Sequence, residues 1–319
     1  MFRTYLLFLR IIRWPNLLVI FLTQLLFQYC IIHPLLSHIN ISPQLRVTDF
    51  LMIAGVYQLI AAAGYIINDY FDLAIDEINK PDKVYIGRGI SKEGALAVYL
   101  VMNLLALILS VIVSFKLGNI SLIICIFLSE IFLFCYSAFF KKKFLIGNVI
   151  VAVVTASAIP VLILAEPSMT FMQYSMVIPS EFRFIITVTL IYTCFAIVIS
   201  FARELIKDLE DVKGDRTYGG RTIPIVLGRK AAHSVVTCSL LGVVGGLVFI
   251  QPVLWQRNVP GSRVLSVYSI LLIMVPLLWI IRKIFNTNAA EEYHRLSSYI
   301  KGVMLTGILS MIFIQYLLK

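Results

Sequence analysis

The stretch FLMIAGVYQLIAAAGYIINDYFDLAID, residues 50–76, sets the reading of the whole chain. Its first 18 residues carry no charge, enough for a helix to cross most of a hydrocarbon core about 30 Å thick. Immediately after them comes Asn68-Asp69-Tyr70-Phe71-Asp72-Leu73-Ala74-Ile75-Asp76, in which Asn68, Asp72 and Asp76 recur every four residues. On a helix that spacing stacks the three on one face, with neighbouring Cβ atoms roughly 6 Å apart. Two carboxylates so placed repel each other. A helix selected only for stability would avoid the pair, and a cation held between them removes the conflict.

Working outward, the composition agrees with a membrane chain. Of 319 residues, 60% are hydrophobic and 14% charged, against about 45–50% and about 25% in water-soluble domains. The mean hydropathy is +0.93. Apolar stretches fall near 14–32, 50–70, 95–115, 120–140, 144–165, 184–202, 232–254, 264–281 and 299–318. This predicts an all-α polytopic protein, nine transmembrane helices in one bundle with cytoplasmic cap loops, over a single domain spanning residues 1–319. Pro160 and Pro276 interrupt two stretches, which membrane helices tolerate because neighbours satisfy the freed backbone groups. No segment alternates with the two-residue period of a membrane barrel. The first stretch has no small-residue cleavage site after it, since Tyr29-Cys30-Ile31-Ile32-His33 follows, so it reads as a retained span.

The net charge of +10 raises nucleic acid as a partner, but the placement of the charges answers otherwise. With nine crossings, 21 of the 27 Lys and Arg residues lie on the side of the N-terminus; Arg46, Lys116, Arg183, Arg257, Arg263 and Lys319 are the exceptions. That asymmetry predicts a protein integral to the cell membrane, with the N-terminus and rich loops cytoplasmic and the C-terminus on the opposite face. Thirteen of the 17 carboxylates share the cation-rich face. Negative residues contribute little to orientation, so chemistry is the better account of their clustering. Membrane lipid is the expected surrounding, with no nucleic acid and no obligate protein partner evident. The five cysteines lack a C-x-x-C pair or a histidine at ligand spacing and read as small buried hydrophobes. The four histidines read as interfacial.

A second ladder follows the sixth span as Asp208-Leu209-Glu210-Asp211-Val212-Lys213-Gly214-Asp215. Asp208, Asp211 and Asp215 share a face at i, i+3 and i+7, and Glu210 falls off it. Charged residues at a helix end can be ordinary solvated caps, a reading that two ladders with matching periods on one face disfavour; such a pair suits hard, octahedral Mg²⁺, whose shell substrate phosphate completes. A cation-coupled transporter is a rival reading, but its ionisable residues would gather near the bilayer midplane, where this chain offers only Glu130. A phosphatidyltransferase of the CDP-alcohol type would show D-G-x-x-A-R, which is absent.

Each ladder precedes a basic, glycine-containing loop, Lys80 to Gly87-Arg88-Gly89 and Arg216 to Gly219-Gly220-Arg221. Glycine lets backbone approach a phosphate, and arginine grips one bidentately. Arg88 and Arg221 are the stronger phosphate candidates. Lys141, Lys142 and Lys143 come to the same face, where a positive-inside anchor and a phosphate contact are both open readings. The repeated order of apolar span, acidic ladder and Gly-Arg loop marks two weakly similar halves.

At these residues the chain resembles the UbiA superfamily of intramembrane prenyltransferases. The likeness rests on Asn68-Asp69-x-x-Asp72-x-x-x-Asp76 and on Asp208-x-x-Asp211-x-x-x-Asp215 leading into Thr222-Ile223-Pro224. Tyr136-Ser137 and Gly147-Asn148, on either side of the lysines, complete it. Ile86-Gly87-Arg88-Gly89 stands where related enzymes commonly have Pro-Ser-Gly-Arg. The resemblance implies a Mg²⁺-dependent transferase. Asn68, Asp72, Asp76, Asp211 and Asp215 would hold metal and the diphosphate of a polyprenyl donor, Asp208 in support and Tyr136 near the reacting carbon. Arg88, Lys141, Lys142 and Arg221 would contact substrate. The stretch Arg203 to Asp215 looks most like the branch that transfers geranylgeranyl to geranylgeranylglyceryl phosphate; hydroxybenzoate or dihydroxynaphthoate, the aromatic quinone precursors, are the alternative acceptors.

Overall fold

The structure, a computed structural model, describes residues 2–169, 178–256 and 259–317. Those residues form helices joined by short turns, with no β-strand beyond one isolated bridge between Ile86 and Ile90. Eight helical segments among them are long and apolar enough to cross a membrane: Trp14–His38, Val47–Phe71, Lys92–Leu117, Ile120–Phe140, Ser180–Thr217, Arg229–Gln256, Gly261–Ile284 and Ala290–Ile314. On the Lys92–Leu117 helix, Leu100, Leu104, Ile108 and Ile112 are exposed at four-residue intervals. A continuous apolar stripe of that kind belongs against lipid.

At the fifth expected crossing the interruption that Pro160 marks is a full break. Residues 144–165 are two short helices, Ile146–Ala156 and Pro160–Ala165, parted by a turn at 157–159. Pro160 has no N–H to give and its ring would strike the carbonyl of residue 156, so the helix stops and restarts with proline at its first turn. Pro276 interrupts less: a π-helical turn at Ile270–Met274 takes up the extra residue and the helix continues as Val275–Ile284.

Two helices carry the ladders. Val47–Phe71 ends at Asp72, whose φ of −92° and ψ of 0° break the helix before Leu73–Asn79 resumes it. The i→i−4 hydrogen bonds nevertheless run on from Asn68 to Asp72, Asp76 and Lys80, so the four side chains keep their common face across the kink. The second ladder rides on Arg183–Thr217, one unbroken helix of 35 residues and about 52 Å. It continues 15 residues past the apolar run expected to end at 202, because 203–217 still presents Leu205, Ile206 and Leu209 to the core. This long helix packs against Ile146–Ala156, Arg229–Gln256, Ala290–Leu309 and Leu73–Asn79.

The buried apolar side chains collect in separate clusters. The largest, around Phe27, Ile31, Leu36, Phe50, Leu162 and Ile185, closes the end of the bundle remote from the ladders. A second, around Leu205, Val236, Leu277 and Ile300, joins the helices of the second half.

Candidate active site

The two ladders meet through Asn79 and Lys80, which follow the first ladder directly. The Asn79 amide donates to the Asp211 carbonyl at 3.1 Å and accepts from the Gly214 N–H at 2.8 Å. An added Cβ at residue 214 would lie 2.6 Å from Asn79 Nδ2, so any side chain there pushes the Asn79 amide aside. Lys80 Nζ lies 2.7 Å from Asp211 Oδ1 and 3.1 Å from Glu210 Oε1. Glu210, off the ladder face by spacing, is thus drawn to the same ammonium, and also meets His294 Nδ1 at 3.1 Å.

A second ammonium stands over the first ladder. The helix Ile120–Cys135 ends in a π-helical turn, Tyr136–Phe140, closed by a Lys141 N–H donating to the Tyr136 carbonyl at 2.8 Å. The turn brings Lys141 Nζ against Asp72, to which it donates a hydrogen bond, and within 3.1 Å of Asn68 Oδ1. Asn68 in turn donates to Asp72 at 2.8 Å. Asp72 is buried, and Asp215 lies within electrostatic reach of Lys141, Asp211, Asp72 and Lys142. Lys141 is therefore the charge on which the two rows converge.

The return loops are braced from below. Gly147 lets the Phe140 carbonyl come within 2.7 Å of where a Cβ would stand, so the Lys141–Lys143 turn folds onto the start of Ile146–Ala156. There Asn148 donates to Asp208 at 2.7 Å. The Gly220 N–H donates to the Asp215 carbonyl at 2.7 Å, and the Arg221 N–H to the Lys142 carbonyl at 2.8 Å. Arg221 and Arg88 are both exposed; the Arg88 guanidinium donates to the Pro81 carbonyl at 3.0 Å, beside its own loop rather than at a ladder. Tyr136 and Asn68 line a cavity of about 190 Å³. Through Ile20, Thr155 and Ser200 that cavity adjoins an apolar chamber of about 660 Å³ between the helices.

Electrostatics follow the packing. Burial opposes the charge on Lys141, yet Asp72 more than offsets it and holds the ammonium well above its ordinary value. The same balance, with Asp211 and Glu210, raises Lys80. Burial pushes Asp76 up to about 6, partly countered by Lys141. A divalent ion bound at Asp76 must displace that proton at lower pH, so Mg²⁺ affinity is expected to hold above pH 6 and to weaken about tenfold per pH unit below it. Mg²⁺ titrations read by protein fluorescence between pH 5 and 8 check this; a flat profile would remove Asp76 from the ion's shell.

No group of three or more His, Cys, Asp or Glu side chains among the described residues closes on one metal position. The donor set nevertheless fits a hard cation: Asn68, Asp72, Asp76, Asp208, Asp211 and Asp215 offer oxygen only, and two ammonium groups already stand where positive charge is needed. Sequence reasoning passed over Asn79 as a junction and Lys80 as the ladder's next member. Lys80 follows Asp76 at i+4, which was the available signal.

Comparison with known proteins accords with this geometry. Residues 26–300 match the model of the UbiA prenyltransferase family. A digeranylgeranylglyceryl phosphate synthase of Korarchaeum cryptofilum is 31% identical over 255 residues, 80% of this chain and 81% of that protein. Among solved structures, a digeranylgeranylglyceryl phosphate synthase in membranes superposes with a TM-score of 0.62 at 22% identity, covering 97% of this chain and 99% of the other. A UbiA homolog from Archaeoglobus fulgidus bound to GPP and Mg²⁺ gives 0.59 at 14% identity, over 96% and 99%. Both solved folds cover nearly the whole helical bundle, the family model spans residues 26–300, and the chain belongs to the UbiA prenyltransferase family.

Proposed function

We propose that the chain is a Mg²⁺-dependent prenyltransferase that moves a geranylgeranyl group from its diphosphate to the hydroxyl of geranylgeranylglyceryl phosphate. The observation that carries the reading is the junction of two acidic rows, through Asn79, Lys80 and Lys141, with Asn68 of the first row lining a polar cavity that adjoins an apolar chamber. The curated relative of Korarchaeum cryptofilum carries that synthase name, and the Archaeoglobus fulgidus homolog binds GPP with Mg²⁺. We read residues 1–319 as one domain with nine crossings, the broken segment 146–165 completing the count. The ladders and cap loops then face the cytoplasm, by the cation asymmetry.

Asn68, Asp72, Asp76, Asp211 and Asp215 would hold the ion, with Asp208 kept in place by Asn148. When bound, Mg²⁺ acts as a Lewis acid toward the charge that develops on departing pyrophosphate. Lys141 and Lys142, with Arg221 anchored to their turn, bind the diphosphate and supply preorganised positive charge. The ladders leave Lys141 fully charged for that task. The allylic C–O bond breaks with its electron pair going to the diphosphate oxygen. The acceptor oxygen then forms the new ether bond and its proton passes to the departing diphosphate. Tyr136, which lines the same cavity as Asn68, would offer its ring face to the carbon that gains positive character. The chamber keeps the isoprenoid tail dry.

The test is direct. Purified protein with Mg²⁺ and radiolabelled geranylgeranyl diphosphate is offered geranylgeranylglyceryl phosphate, dihydroxynaphthoate and hydroxybenzoate in parallel. The ether lipid is the expected product, and EDTA should stop its formation. Product on the aromatic acids alone would replace the acceptor; turnover surviving EDTA would reject the metal.

A further inference from the structure

The polar cavity holds a second set of charges that the ladders do not explain. Arg203 and Lys207 on the Arg183–Thr217 helix, Lys301 on Ala290–Leu309 and Arg13 all line it. Glu204 accepts from Arg203 at 3.0 Å and from Lys207 at 2.8 and 3.1 Å; Asp69 accepts from Arg13 at 2.6 Å. Four cations therefore face two carboxylates. Lys301 is exposed and has no hydrogen-bond or ion-pair partner among the described residues, and Arg203 Nε is buried with no acceptor. Like charges gathered in a partly desolvated space repel strongly, so packing gives no reason for them. An anion does.

The charge and position both select the anion. A phosphate monoester carries about −1.5 to −2 near neutral pH, close to the surplus of the cluster, and offers the oxygens that an arginine fork and an ammonium seek. An aromatic carboxylate would bring half that charge. Asn68 and Tyr136 line the same cavity, so an anion held at Lys301 stands across one partly open cavity from the first ladder.

We propose that Arg203, Lys207 and Lys301 form a phosphate-monoester site that holds the acceptor's glyceryl phosphate, separate from the diphosphate site at the acidic ladders. This rests on the acceptor reading above. The donor is then gripped by one set of charges and the acceptor by another, which places the acceptor's hydroxyl beside the donor's reacting carbon without either phosphate competing for the ladder.

The full chain in nanodiscs, as wild type, Arg203→Gln, Arg203→Lys and Lys301→Gln, tests this. Arg203→Gln and Lys301→Gln should raise the KM for geranylgeranylglyceryl phosphate at least about tenfold while the KM for geranylgeranyl diphosphate stays within about twofold. Arg203→Lys should recover part of the loss, which a merely structural role would not give. In donor-free protein, inorganic phosphate, glycerol phosphate and geranylgeranylglyceryl phosphate are added separately and the Tm is read. The lipid phosphate should raise it most, glycerol phosphate less, and both shifts should shrink in the Gln variants. Unchanged acceptor KM in both Gln variants, or inorganic phosphate acting as strongly as the lipid, would overturn the proposal. If wild type prenylates only the aromatic acids, the acceptor reading has failed and takes this assignment with it; if wild type makes the ether lipid and the variants match it, this proposal alone has failed.

Discussion

Asp72→Ala and Asp211→Ala should each cut kcat/KM for geranylgeranyl transfer by about 10³-fold or more, the scale reached when preorganised stabilisation of a leaving anion is removed. Each takes one hard oxygen donor from a different row. Asp72→Ala also leaves Lys141, now paired with it, as a partly buried ammonium, and loss of that charged hydrogen bond should cost about 2 kcal/mol. Stability and activity can be pulled apart. Adding Lys141→Met to Asp72→Ala should restore much of the Tm and none of the turnover. Activity in either single variant within tenfold of wild type would deny the rows their role.

Gly214→Ala should lower kcat/KM by about 10²-fold with little change in Tm. The added methyl would fall 2.6 Å from the Asn79 amide and dislodge the two hydrogen bonds by which the first ladder is tied to the second. A misplacement of about 1 Å between reacting groups is enough for a loss of that size. Within the helix itself alanine is favoured over glycine by about 1 kcal/mol, which offsets the lost bonds in stability but not in geometry. Parallel measurements of turnover and thermal unfolding check the split; wild-type turnover would mean the rows need no tie at Asn79.

Much of this site was legible in the sequence because its signals are local. The four-residue period from Asn68 to Asp76 and the i, i+3, i+7 period from Asp208 to Asp215 fix a shared face whatever the tertiary structure. The kink at Asp72 did not destroy the first, since the hydrogen bonds from Asn68 through Lys80 carry the phase across it. Hydropathy was a poorer guide to helix ends. Apolar usage falls at Ser200, yet the Arg183–Thr217 helix runs on, because one buried face suffices to keep a helix packed. Pro160 announced an interruption, but only the structure shows that it divides the segment in two.

The lysines were less legible. A cation in a cytoplasmic turn carries topological information, and sequence alone cannot separate that use from a contact with Asp72. Lys141 reaches Asp72 through the π-helical turn at Tyr136–Phe140, a feature without a clear residue signature. Arg88, by contrast, looked the better phosphate ligand and lies exposed against the Pro81 carbonyl.

The unbroken 35-residue helix has a counterpart that bends at Asp72, and the two are tied together at Asn79. When a bilayer thins or thickens, a long stiff rod accommodates by leaning. Its acidic end would swing with it, while the jointed partner, tethered at Asn79, follows. Bilayer thickness would thereby change how closely the two rows approach.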